Sequence, residues 1–164
     1  RIREIVQEKA TFLSLNCQTN SYNHGYNVIN RQYSRADSFS LDETEIKLSC
    51  GLKKPDFSDA LKGLRQGLSA KYAWLTRGAI ETLGLDGKNH LTRCPSFENE
   101  VVDAVGAGDA FCTIASLAAA KGLPLDASTY LAQMAGAQAV RIIGNSEAIK
   151  KAALLKAAQT MINF

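Results

Sequence analysis

Four residues, Gly106-Ala107-Gly108-Asp109, run directly into an alanine-rich apolar segment, and they constrain this chain more than any other feature. A turn of small residues that opens a helix leaves the first backbone N–H groups without intrahelical acceptors. Three consecutive amides, those of Gly106, Ala107 and Gly108, together with the positive end of the helix dipole then form an anion hole. Asp109 falls in the first turn, at the mouth of that hole. A carboxylate beside a bound phosphate is costly unless it has a chemical task. In phosphoryl transfer that task is to orient the attacking hydroxyl and to accept its proton. Taken alone, the same four residues also fit a tight strand-to-helix connection with an N-terminal charge.

Two other glycine motifs do not fit. The pattern G-x-x-x-x-G-K-[ST] does not occur, and G-x-G-x-x-G fails because Phe111 stands where the third glycine belongs. Asp109 would also repel a pyrophosphate lying on the turn.

The rest of the chain supplies the frame. Helix is expected over residues 1–10, strand over 11–16, and a loop with up to one helical turn over 17–30. A strand follows over 36–41. Asp42 then caps a helix to about residue 50, because its carboxylate can take the free amides of the first turn. Residues 51–55 break that helix, and Asp56 caps the next to about residue 69. Residues 72–76 read as a buried strand. Residues 80–85 and 88–93 flank Asp86-Gly87, the strongest short hairpin signal. A loop over 94–99 precedes three helices, 108–121, 126–143 and 147–162, with Gly122 and Gly144 as stops. Strands alternating with helices, then a hairpin, then three helices predict one α/β layered domain over residues 1–164.

Composition excludes several classes. The chain is 46% hydrophobic and 21% charged, enough apolar content for a packed core and not the signature of disorder. A net charge of +3 with no lysine–arginine stripe gives no reason to expect nucleic acid, and it suits an anionic substrate. No apolar run is long enough for a bilayer, and none has the form of a signal peptide, so a cytoplasmic setting is expected. Cys17, Cys50, Cys94 and Cys112 form no C-x-x-C pair and accompany only two histidines, which argues for free thiols and against structural zinc.

The longer string Asp103-Ala104-Val105-Gly106-Ala107-Gly108-Asp109-Ala110-Phe111 resembles the D-T-x-G-A-G-D-x-F signature of ribokinase-like (PfkB family) sugar and nucleoside kinases. Only Ala104, in place of Thr, departs. The resemblance implies a doubly wound, Rossmann-like layered α/β sandwich. It implies transfer of the ATP γ-phosphate to a sugar hydroxyl, with Asp109 as base and the Gly106, Ala107 and Gly108 amides around the transferred phosphate. Asp103 resembles the residue that helps to hold a monovalent cation, K⁺, beneath the loop. Leu41-Asp42-Glu43-Thr44-Glu45 resembles the family's N-x-x-E element, which organises Mg²⁺ and phosphate through water. This makes Asp42 and Glu45 the expected anchors, with Asp42 in place of Asn. Thr76-Arg77-Gly78 resembles the T-x-G turn that touches the nucleotide. Three residues beyond Gly78 the family often has glycine, where Glu81 stands here and is expected to crowd a ligand. The string from Ala132 to Gly144 resembles one wall of the adenine pocket, with Gln133 at a position often Asn or His. Small residues there serve helix packing equally well.

Thr76-Arg77 and the Asn-rich stretch 16–30 resemble the heptose kinase branch, the kinase part of ADP-heptose synthase. The chain opens on Arg1, and the family's glycine-rich sugar-binding motifs, its β lid and an H-x-G-H nucleotidyltransferase motif do not occur in it. It is therefore expected to be the C-terminal portion of a kinase, inactive alone and a homo-oligomer when whole. Its partners would be a nucleotide and a small sugar or sugar phosphate. The alternatives are a nucleoside or vitamin kinase of the same fold, or a non-catalytic nucleotide-binding domain. Retention of Asp109 argues against the last, since a pure binder gains nothing from a carboxylate facing phosphate.

Overall fold

The computed structural model describes residues 1–19, 25–98 and 100–163. Five strands form one sheet: β1 (Ser14–Asn16), β2 (Ser38–Asp42), β3 (Tyr72–Thr76), β4 (Glu81–Asp86) and β5 (Leu91–Pro95). Their spatial order follows the chain, β1-β2-β3-β4-β5. The first three run parallel, with Ser14 opposite Ser38 and Ser38 opposite Tyr72. Strand β4 pairs antiparallel with β3, and β5 pairs antiparallel with β4. Helices α1 (Ile2–Lys9), α2 (Ile29–Gln32), α3 (Glu43–Cys50), α4 (Phe57–Gly67), α5 (Ala107–Ala120), α6 (Leu125–Ala139) and α7 (Lys151–Ile162) complete the fold, with a 3₁₀ turn at Ile143–Asn145. The expected layered α/β domain is therefore present, on a mixed sheet.

Both faces of β3 are covered from Tyr72 to Leu75, which is why that run carries large or apolar side chains and polarity returns only at Thr76. Ala73 and Leu75 point to the side where Ile46 of α3 and Leu61 and Leu64 of α4 pack with Phe39 and Leu41. Tyr72 and Trp74 point to the other side, against Phe111 and Ala115 of α5 and Ala132 of α6. Trp74 is the anchor of this second layer. It stacks on Tyr72 at 5.8 Å, meets Phe111 edge-on at 6.3 Å, and donates its indole N–H to Thr129 Oγ1 at 2.9 Å. Burying an aromatic side chain of this kind contributes about 1.5–3 kcal/mol. The position of α5, and hence of the Gly106–Asp109 corner, is thus fixed from its first turns. At Gly84 the sheet and α6 come so close that a Cβ would meet Thr129 Oγ1 and Thr92 Cγ2 at 2.8 Å.

Several boundaries differ from the sequence expectation for identifiable reasons. Strand β1 starts at Ser14, not residue 11, because the Leu13 N–H is taken by the Asp37 carboxylate at 2.7 Å. Asp86-Gly87 is not the centre of a two-residue turn. The Asn89 N–H returns to the Asp86 carbonyl, Asn89 adopts φ +63°, and the Asp86 side chain accepts from the amides of Lys88 and His90. This is the longer hairpin loop closed by a left-handed residue. Helix α6 ends at Ala139, where Val102 and Asp103 donate to the Val140 carbonyl. Residues 146–150 are not helical, and α7 starts without a side-chain cap. The helical turn α2 lies at Ile29–Gln32, at the end of the 17–30 stretch and beyond it rather than within it; residues 20–24 of that stretch lie outside the described residues. No helix is long and apolar enough to cross a membrane among the described residues.

Candidate active site

Parallel strands deliver their last residues to one edge of the sheet, and three polar side chains stand there: Asn16 ending β1, Asp42 ending β2 and Thr76 ending β3. Ligands of open α/β sheets bind outside these carboxyl ends. Beside them opens a cleft of about 390 Å³. Asp42, Thr76 and Gly78 line it from the sheet, Ala107, Gly108 and Phe111 from α5, and Gln133 and Gly136 from α6. The volume lies within the ~300–1,000 Å³ of small-molecule sites.

Helix α5 begins at Ala107, one residue before the expected start at 108, and the Ala107 amide does not point outward as expected. Gly106 is its N-cap at φ +83°, a conformation that only glycine takes without strain. The Ala107 N–H bends back to the Ala104 carbonyl at 3.3 Å. The outward amides are therefore those of Gly106, Gly108 and Asp109, which donate to no acceptor among the described residues. Gly108 has open space where a Cβ would stand, so its backbone can be approached closely. Asp109 is exposed in the first turn, and its Oδ1 accepts from Asn16 Nδ2 at 2.8 Å.

Asp42 and Glu45 form a reciprocal capping box. The Glu45 N–H donates to Asp42 Oδ1 at 2.8 Å, and the Asp42 N–H donates to Glu45 Oε2 at 2.9 Å. Burial pushes the Glu45 carboxyl up to about 7; the charges of Asp42 and Asp109 add to the rise, and backbone donors at Asp42 and Thr19 oppose it. Asp103 Oδ1 accepts the Val105 N–H at 2.9 Å and Oδ2 accepts the Gly144 N–H at 2.8 Å. These two amides hold the Asp103 carboxyl below its ordinary value. No three His, Cys, Asp or Glu side chains converge on a metal-sized site among the described residues. The donors suit cations held partly by water or by a phosphate rather than by a protein cage, since each carboxylate oxygen keeps a free lone pair.

On the α6 side, Gln133 is buried and its Oε1 accepts from Thr82 Oγ1 at 2.7 Å. Thr76 Oγ1 donates to the Leu41 carbonyl at 3.4 Å. Glu81 does not crowd the cleft. Its carboxylate turns to Arg77 at 2.6 Å and Arg93 at 3.0 Å, and Thr82 takes the inward place. Arg77 in turn holds Glu43 at 2.8 Å and lies 4.9 Å from the centre of the Phe57 ring. Its cation therefore braces the turn from outside.

The sequence profile of the pfkB family carbohydrate kinases matches residues 8–152. The chain belongs to that family. No curated protein is significantly similar to it in sequence. Among solved structures, Escherichia coli phosphofructokinase-2 in complex with potassium superposes at a TM-score of 0.80 with 14% identity, over 98% of this chain and 51% of that one. Ribokinase from Thermotoga maritima gives 0.75 with 18% identity over 94% and 51%. Arabidopsis thaliana ribokinase complexed with ribose and ATP gives 0.77 with 18% identity over 96% and 51%. At these identities the likeness establishes the fold, and the chain spans about half the length of each of these structures.

Within this pfkB family chain, the structure brings Asp42, Thr76, Gly78, Ala107, Gly108 and Gln133 to one cleft, with Asp109 in the adjoining first turn of α5. Glu45 stands behind Asp42, and Asp103 stands beneath the loop, bound to Gly144. Asn16, Thr82 and Glu98 were not expected there. Asn16 could have been found from its place at the end of an alternating strand. Thr82 has no signal of its own beside the charged Glu81 on the other face of β4, and Glu98 lies in a segment whose sequence carries only loop signals. All four cysteines are free, and Cys112 is buried in α5 as a core residue.

Proposed function

We propose that this chain carries the nucleotide and phosphoryl-transfer site of an ATP-dependent kinase acting on a hydroxyl of a sugar or sugar phosphate. The observation that carries the reading is the placement of Asp109 in the same first helical turn as the outward amides of Gly106 and Gly108. The amides and helix dipole stabilise charge on the transferred phosphoryl group. Asp109 orients the acceptor hydroxyl and takes its proton. A carboxylate is a weak base for an alcohol, but in a loose transition state positioning does most of the work. Thr76, Gly78 and Gln133 belong to the wall for the nucleotide. Asp42 and Glu45 would hold Mg²⁺ through water, and the bound ion would supply neutralisation of phosphate charge. Potassium would sit by Asp103.

The decisive experiment uses the full-length protein. Asp109→Asn should lower turnover by ~10²–10⁴-fold while ATP affinity survives; near-normal kcat removes Asp109 from the mechanism. A panel of hexoses, pentoses and heptose phosphates identifies the acceptor class, and it tests the heptose branch that Thr76-Arg77 suggests. The 164 residues alone should bind ATP-Mg weakly and phosphorylate none of the panel. Sugar-dependent turnover at full-length rates would overturn that expectation. The whole enzyme is proposed to act as a homo-oligomer on small molecules. A nucleoside or vitamin acceptor would appear as turnover outside the sugar panel.

A further inference from the structure

We propose that Asn16 is a positioning residue for the base: its side-chain amide occupies Oδ1 of Asp109 and so reserves Oδ2 for the acceptor proton. The inference rests on the phosphoryl-transfer reading and adds a residue to it.

The geometry starts in the strand. Asn16 is the last residue of β1, and its register is fixed opposite Ser40 of β2. Two residues earlier, on the same side of the strand, Ser14 Oγ lies 2.5 Å from Ser116 Oγ of α5, and it accepts from Ser38 Oγ at 2.8 Å. Leu15 points the other way, into the opposite core. On α5, Ser116 and Asp109 are seven residues apart, which is two turns of one helical face. Strand and helix are therefore joined along one line, by Ser14 to Ser116 below and by Asn16 to Asp109 at the top. The upper bond is the only one that reaches an exposed carboxylate.

Chemistry settles its direction. An ionised carboxylate only accepts hydrogen bonds, so Asn16 presents its NH₂ group. Asp109 Oδ2 has no protein donor among the described residues. In the transfer, the acceptor oxygen forms a bond to the γ-phosphorus as the bridging bond to ADP breaks. The hydroxyl proton passes to Asp109 Oδ2. A carboxylate free to rotate would offer that oxygen only part of the time, and misplacement by about 1 Å can cost on the order of 10² in rate. An exposed hydrogen bond adds little to stability, so its loss should be felt in rate and not in folding.

The test is made in the full-length protein with the panel sugar that is turned over fastest. Asn16→Ala removes the donor, and Asn16→Asp keeps the shape but reverses the chemistry. Both should lower kcat by about 10- to 100-fold, Asn16→Asp more, with the KM for ATP and the melting temperature unchanged. Wild-type kcat in either variant overturns the proposal, as does a loss that merely follows weakened ATP binding or unfolding. Asp109→Asn runs alongside. If it stays active, or if no sugar is turned over, the reading of the site itself fails. If it is inactive while the Asn16 variants are not, only the role of Asn16 fails.

Discussion

The Asp103 carboxylate accepts the Gly144 N–H at 2.8 Å, across 41 residues of sequence. Its other oxygen holds the Val105 amide, so one side chain ties the loop that leads into α5 to the turn that follows α6. Gly144 meets it at φ +58°, in a left-handed conformation. The corner that places Gly106 to Asp109 therefore has its own brace, independent of the core beneath Trp74.

That brace is expected to titrate only in acid. The two amides favour the ionised carboxylate and depress its folded pKa. A depressed acid stabilises the fold above its unfolded pKa, and the contribution is lost as pH falls through the folded value, below the ordinary aspartate value of ~4. Asp103→Asn should therefore melt below wild type at neutral pH, and the gap should narrow near pH ~3. Urea melts at the two pH values decide this; a gap that does not narrow places the brace elsewhere. Potassium should also raise activity or nucleotide affinity in the full-length protein, and Asp103→Asn should weaken the effect. Equal rates in potassium and in a bulky organic cation would count against a monovalent site.

Two glycines of the corner should fail in different ways. Gly106→Ala forces a side chain into φ +83° and should cost ~1–2 kcal/mol of stability. Gly108 has no positive φ, and a Cβ there meets nothing within 4 Å. Gly108→Val should therefore fold, and its β-branched side chain should block the approach of phosphate to the amides. Calorimetry separates them. Unchanged ATP affinity in folded Gly108→Val would mean that the anion hole lies elsewhere.

Gly84 makes the equivalent demand on packing. A Cβ at 2.8 Å from both Thr129 Oγ1 and Thr92 Cγ2 has to displace α6 or the hairpin. Gly84→Ala should lose ~1–3 kcal/mol and weaken the hydrogen bond from Trp74 to Thr129. Chemical denaturation with tryptophan fluorescence follows both, since Trp74 is the single tryptophan. A variant as stable as wild type would show that α6 shifts without cost.

Much of this architecture is written in local signals. Asp42 and Asp56 cap the helices they were expected to cap, because a carboxylate three residues before a free amide acts within one turn. Residues 72–76 form their strand at the expected boundaries, since Tyr72 to Leu75 are buried and the run turns polar at Thr76, where it leaves the core. The Gly106–Asp109 corner was legible because helix starts and anion holes share one geometry. What was hidden depends on distant partners. Asp37 shortens β1 by capturing an amide, Val102 and Asp103 close α6 at Val140, and Glu81 turns outward to meet Arg77 and Arg93 while Thr82 faces in. Asn16 gained its meaning from a residue 93 positions away.

Glu45 gives the last prediction, and its sign is opposite to that of Asp103. Its carboxyl is buried behind Asp42, and burial pushes it from 4.5 up to about 7. The charges of Asp42 and Asp109 push the same way. Between these two values the folded chain keeps a proton that the unfolded chain has lost. By linkage, stability then falls as pH rises through the window and levels off above about 7. Glu45→Gln removes the titration but keeps an oxygen that can accept the Asp42 amide, so the capping box survives in part. In metal-free buffer, the wild-type denaturation midpoint should drop from pH ~5 to pH ~8, while that of Glu45→Gln stays flatter. Above neutrality the variant should be the more stable of the two. Glu45→Ala serves as control, because it loses the cap and should be less stable than Glu45→Gln throughout. Equal slopes for wild type and Glu45→Gln would show that Glu45 is ionised across the whole range, and that water or a cation reaches it in solution.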